Sequence, residues 1–142
     1  MAVAHGEHSV SMQEDIIYTK VIGAFNEFGI KNYTDTVMTL VKQREGKPFA
    51  VLVDNTKLEG ATPEAFQLLE SYNLWMNQQN MIAKALVFNV AILATITQSQ
   101  TPSLCAENVK ICKSIEEAQT WLELKIDQYK IRNNSCTEMT KG

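Results

Sequence analysis

Residues Phe49 to Leu69, FAVLVDNTKLEGATPEAFQLL, constrain the fold of this chain more than any other stretch. An apolar run ends in Asp54, crosses a polar segment and reaches Thr62-Pro63-Glu64. Phe49 to Val53 is continuously apolar, as a strand buried on both faces requires. Thr62 can accept an amide hydrogen bond as a helix N-cap. Pro63 suits the first helical position, where its missing N–H would have no partner anyway. The stretch reads as a buried strand feeding a capped helix, the repeating unit of an α/β sheet. Function in such sheets gathers after the strand. Here that loop holds Asp54, Asn55, Thr56, Lys57, Glu59 and Gly60, with no catalytic motif.

The rest of the chain repeats the theme. His5 to Met12 alternates weakly, and Ile16 to Gly23 is rich in β-branched residues. A turn near Gln13 to Asp15 would join them as an antiparallel hairpin. Asn26 can cap a helix whose apolar face is Ile30, Tyr33, Val37, Leu40 and Val41, with Gly46 and Pro48 as its stop. The helix after Thr62 would bury Ala65, Leu68, Leu69, Tyr72, Trp75 and Met76. Ile82 to Phe88 reads as another strand. The Lys84 within it predicts that one side reaches solvent or is incompletely covered. Val90 to Thr97 fits a short helix by period and a strand by composition. Val109 to Cys112 reads as a last strand. Ser114 and Glu117 form an S-x-x-E capping box. Ala118, Trp121, Leu122, Lys125, Ile126 and Tyr129 then line one helical face.

The order β-β-α-β-α-β-(α)-β-α predicts a mixed, mostly parallel sheet of four to five strands with an N-terminal β-hairpin and three to four helices. A length of 142 residues suits one domain over 1–131, followed by a polar tail over 132–142. Thirteen basic residues are scattered among sixteen acidic ones, for a net charge of −3, which argues against nucleic acid as partner. No apolar run reaches the roughly 18–20 residues needed to span a bilayer. Met81 to Ile96 is interrupted by Lys84 and Asn89. MAVAHGEHSV has neither a basic nor an apolar leader region. Cys105, Cys112 and Cys136 are odd in number and lack CxxC spacing. A reducing, cytoplasmic setting is therefore expected, without disulfide framework or metal site.

Three local motifs carry a family resemblance: Gly23-Ala24-Phe25-Asn26-Glu27, Ala61-Thr62-Pro63-Glu64-Ala65 and Ser114-Ile115-Glu116-Glu117-Ala118. With the element order, they make the chain resemble the SpoIIAA-like fold of the bacterial STAS/SEC14-type proteins, over roughly Gly6 to Tyr129. The resemblance implies one of two functions. Anti-sigma factor antagonists bind a protein partner and are switched by phosphorylation of an Asp-Ser pair at the start of the second helix, where added charge changes docking. Here that pair falls on Thr62-Pro63, leaving Thr62 as the nearest hydroxyl and a plain N-cap as its simpler role. SEC14-type proteins carry an apolar ligand between sheet and helices. Leu86, Phe88, Ile92, Leu93 and Ile96 would line such a cavity, although a chain this short leaves little room for a lipid.

The chemistry-bearing residues point to few reactions. His5 and His8 fall on opposite faces of a strand, a poor arrangement for a shared metal. Cys105 and Cys112 have no histidine near them in sequence. Asp54, with Glu59 or Glu64, has acids enough for proton transfer. Without a nucleophile or a Gly-rich loop, it reads as tying down its own loop. The expectation is a non-enzymatic regulatory or protein-interaction module without cofactor. Its partner surface would draw on Asp54, Thr56, Lys57, Glu59 and Thr62. The alternative is a carrier of a small apolar ligand or lipid. An incompletely covered sheet face would leave room for a homodimer.

Overall fold

The computed structural model describes residues 3–141. A hairpin of β1 (Glu7–Gln13) and β2 (Ile16–Phe25) opens the fold, joined by the two-residue turn Glu14-Asp15. Next come α1 (Glu27–Gln43), β3 (Phe49–Ala61), α2 (Pro63–Asn77), β4 (Met81–Val87) and α3 (Ala91–Gln100). A 3₁₀ turn (Pro102–Cys105), β5 (Val109–Cys112) and α4 (Ile115–Lys141) complete it. The five strands lie in the order β1-β2-β3-β4-β5, with β1 antiparallel to β2 and the others parallel. The mixed, mostly parallel sheet expected from the element order is the one that forms.

The order explains the layering. Crossovers that keep one hand while the sheet grows in one direction place their helices on one face. Accordingly α1, α2 and α3 share a core with Ile17, Val21, Val51, Val53, Leu86 and Phe88. The other face is left to α4, whose Ala118, Leu122 and Ile126 pack on Ala50, Leu52, Ala83, Ala85 and Val87. The strip of this face over β1 carries Glu7, Ser9, Ser11 and Gln13, all exposed and polar. No helix among the described residues is long and apolar enough to cross a membrane.

Capping chemistry sets the helix starts. Asn26 Oδ1 accepts from the Gly29 amide at 2.9 Å and from the His5 amide at 2.9 Å, while Asn26 Nδ2 donates to the Val3 carbonyl. One side chain thus caps α1 and straps the N-terminal segment over it. A Cβ built on Gly29 would lie 1.9 Å from the His5 carbonyl oxygen, so only glycine permits this approach. Thr62 Oγ1 accepts from the Ala65 amide at 3.1 Å. At α4, Ser114 Oγ accepts from Glu117 N as expected. The Glu117 carboxylate, however, reaches Lys113 N rather than Ser114 N, so the box closes one residue early.

Three expectations are corrected, and one open alternative is decided. Asp54 to Ala61 is the second half of β3, not a loop. It pairs with β2 through two register shifts, and backbone pairing satisfies groups that a polar sequence suggested would face water. Of the two readings of Val90 to Thr97, the helix is the one that forms: α3 starts at Ala91, with Val90 as its N-cap. Leu68 is exposed, because α2 turns Phe66 and Asn73 inward instead. Lys84 does not reach solvent at all: it is 2% exposed.

Candidate functional site

β4 turns Lys84 and Leu86 toward α1 and α2, as does Phe88 just beyond its end, with Ala83, Ala85 and Val87 toward α4. Lys84 pairs in register with Val51 on β3 and Val109 on β5, so its side chain starts in the middle of the sheet. α2 crosses above and presents Tyr72 and Asn73. Lys84 Nζ donates to Asn73 Oδ1 at 2.9 Å and stands 5.1 Å from the centre of the Tyr72 ring. Among the described residues no carboxylate pairs with it. Burial pushes the Lys84 ammonium down to about 7, because a low-dielectric interior penalises the charged form.

A second polar chain adjoins the first. Tyr33 donates to Thr19 Oγ1 at 3.1 Å, and Thr19 donates onward to the Leu52 carbonyl at 3.2 Å. The Tyr33 and Tyr72 rings meet edge to face at 6.1 Å. Burial pushes the Tyr33 phenol up to about 12, with the hydrogen bond to Thr19 opposing it. The Tyr72 phenol is also raised, by burial and by the neighbouring Tyr33. The Tyr72 hydroxyl is buried without a hydrogen bond of regular geometry, although the Tyr33 hydroxyl lies close enough to act on it.

Between these groups lies a cavity of about 60 Å³. It opens where β3 outruns β4: the β3–β4 pairing ends at Asp54 and Val87, and Asn55, Leu58 and Ala61 form the wall beyond. Lys84, Tyr72, Asn73, Asn55 and Thr97 supply its polar atoms, and the remaining walls are apolar apart from Tyr33. Leu58, Ala61 and Leu69 are the lining residues that also reach solvent.

Leu86 and Phe88 line this cavity, as expected from the sequence. Ile92 and Ile96 turn outward, 65% and 42% exposed, and Leu93 packs on the core without reaching the cavity. α3 contributes Thr97 instead. Lys84, Tyr72 and Asn73 were missed as a group. Their signal was a polar residue on the inner stripe of α2 together with a lysine inside an apolar strand.

The other candidates lie at one end of the domain. Asp54 Oδ1 accepts from the Thr56 amide at 2.9 Å and from Thr56 Oγ1 at 2.6 Å, so the two hold each other. Lys57, Glu59 and Thr62 are exposed. Phe25 pairs with Ala61, and Thr62 N donates to the Phe25 carbonyl at 3.0 Å. β2 and β3 therefore launch α1 and α2 side by side. A shallow groove runs between these helices, with Phe28 and Leu68 across it and Glu27, Lys31, Glu64 and Gln67 around them.

His8 stacks edge-on against Tyr33 at 5.7 Å and His5 is exposed. Among the described residues no cluster of His, Cys, Asp or Glu could hold a metal ion. Cys112 is fully buried, which pushes its thiol pKa up, and Cys105 is exposed. The side chain of Cys136 lies outside the described residues.

No protein-family model matches the chain, and no curated protein matches it either. Solved structures do. An uncharacterised DUF3478-family protein with a SpoIIAA-like fold from Shewanella loihica PV-4 is similar at a TM-score of 0.61 and 14% identity, over 86% of this chain and 97% of that one. The anti-sigma factor antagonist SpoIIAA in its unphosphorylated form is similar at a TM-score of 0.58 and 10% identity, over 82% of this chain and 98% of that one. The fold is SpoIIAA-like.

Proposed function

We propose that this chain is a non-enzymatic regulatory module that docks a protein partner on the groove between the N-terminal turns of α1 and α2. The observation carrying the reading is the pair Phe28 and Leu68, 41% and 39% exposed on adjacent helices. An apolar centre with a charged rim is the anatomy of a protein interface, and aromatic side chains are its usual anchors. Lys31 is engaged by Asp35 at 2.8 Å, so Glu27 and Glu64 dominate the rim and favour a basic partner segment. Lys57, Glu59 and Thr62 extend the surface past the start of α2. Asp54 and Thr56 act from behind it, by holding β3 in shape. The fold shared with an anti-sigma factor antagonist supports a role exercised on another protein.

The test is capture from the host lysate. A partner retained by the wild-type protein should be lost by the double variant Phe28→Ser with Leu68→Ser. It should be kept by Leu124→Ser, which changes an exposed residue of α4. Equal retention by the double variant would overturn the reading. Carriage of a lipid has less support: a cavity of about 60 Å³ is far below the ~300 Å³ at which drug-sized ligand sites begin.

A further inference from the structure

The cavity behind α2 has the features of a site rather than a packing fault. Packing faults in protein cores are apolar and dry. This one brings together two buried polar groups whose hydrogen bonding is incomplete. The Lys84 ammonium has three N–H donors. Asn73 Oδ1 takes one, and the Tyr72 ring face lies beside the rest. The Tyr72 hydroxyl, on a side chain 5% exposed, has no regular hydrogen bond. A methionine at position 84 would fill similar space without a buried charge, and apolar replacements of buried ions are often neutral or stabilising. The lysine is therefore not explained by stability.

We infer that the cavity binds a short-chain monocarboxylate, with the carboxylate received by Lys84 Nζ and the Tyr72 hydroxyl and the alkyl tail lying among Leu58, Phe66, Leu86 and Phe88. One cation and one neutral donor match the single charge and two oxygens of a carboxylate. A phosphate would bring more charge than one ammonium can balance in an apolar chamber. At ~10–15 Å³ for each water-sized group, the volume takes about four to six such groups, which, once two are carboxylate oxygens, limits the ligand to a chain of about two to four carbons. Leu58, Ala61 and Leu69 give it a way in. The site lies under the inner face of α2, while the groove proposed for a protein partner uses the outer face. The two inferences therefore stand or fall separately.

The experiment is a titration with sodium butyrate at about pH 6, where Lys84 keeps its proton and butyrate keeps its charge, followed through the methyl resonances of Leu58 and Leu86 in the full chain. Butyramide, which keeps the shape and loses the charge, is the control. Saturable shifts with butyrate are expected, with binding of butyramide about tenfold or more weaker, since hydrogen bonds to charged groups are the stronger kind. Lys84→Met should weaken butyrate binding by about tenfold or more, and Tyr72→Phe by a smaller factor. Absence of a saturable shift with butyrate would overturn the proposal. So would equal binding of butyramide, or unchanged butyrate binding by Lys84→Met. The comparison of butyrate with butyramide needs only the wild-type protein, so it decides the matter even where a variant does not fold.

Discussion

Lys84 Nζ on β4 donates to Asn73 Oδ1 on α2 at 2.9 Å, and both side chains are almost wholly excluded from water, at 2% and 3% exposed. The bond joins the central sheet to the helix that separates the cavity from the surface groove. It is also asymmetric. Asn73 can lose its partner and remain a neutral amide, but Lys84 without Asn73 is a buried donor with only a ring face beside it.

That asymmetry predicts unequal variants. Asn73→Leu should destabilise the protein by about 1–3 kcal/mol, the cost of leaving a buried polar group unpaired. Lys84→Met should cost less or stabilise, because it removes the charge itself. Urea unfolding of the two single variants and the double variant checks this. The double variant should recover most of the loss seen in Asn73→Leu, since the unpaired group is then gone.

Stability should also depend on pH in a particular direction. Lys84 titrates at about 7 in the folded protein against an ordinary 10.5. Between these values the unfolded chain binds more protons, so stability rises with pH. The burial penalty is complete below about pH 7 and fades above it. Near pH 10 the trend reverses. The buried Tyr33 and Tyr72 hold their protons past the ordinary value of 10.0, while the unfolded chain releases them. Denaturation from about pH 7 to about pH 9.5 should show a rise of roughly 2–4 kcal/mol, because each tenfold change in proton affinity is worth ~1.4 kcal/mol. Lys84→Met should flatten that rise.

Thr62 gives a third prediction. Its hydroxyl accepts from the Ala65 amide at the start of α2. Thr62→Ala should cost about 1 kcal/mol by loss of the cap. Thr62→Asp should retain stability, because its carboxylate can accept the same hydrogen bond and suits the positive end of the helix dipole. Urea midpoints of the two variants measure this. A loss in Thr62→Asp as large as that in Thr62→Ala would show that the hydroxyl does something other than cap.

Much of the fold was legible because its signals are local. Asn26, Thr62 and Ser114 mark helix starts through bonds made within three residues, and β-branched runs mark strands. What was misread depends on distant neighbours. Asp54 to Ala61 resembles a loop because β3 outruns β4 there and loses the two-sided burial that makes a strand apolar. Lys84 resembles an exposed position because its partner, Asn73, lies on the preceding helix. Asn73 itself falls on the stripe of Ala65, Tyr72 and Met76, so a polar residue there, facing a lysine in an apolar strand, was the available clue. Phe28 and Leu68 could not be read as a pair, since only the pairing of Phe25 with Ala61 brings their helices together.

The strand order β1-β2-β3-β4-β5 bears on how the chain is made. Each strand pairs with the one synthesised just before it, so the sheet and its first helical layer can assemble as the polypeptide leaves the ribosome. The opposite face has to wait. Ala50, Leu52, Ala83, Ala85 and Val87 stay uncovered until α4, which follows all five strands along the chain, arrives to cover them. A nascent chain arrested before Ile115 would display that apolar surface to chaperones, and its release from them would coincide with the docking of Leu122.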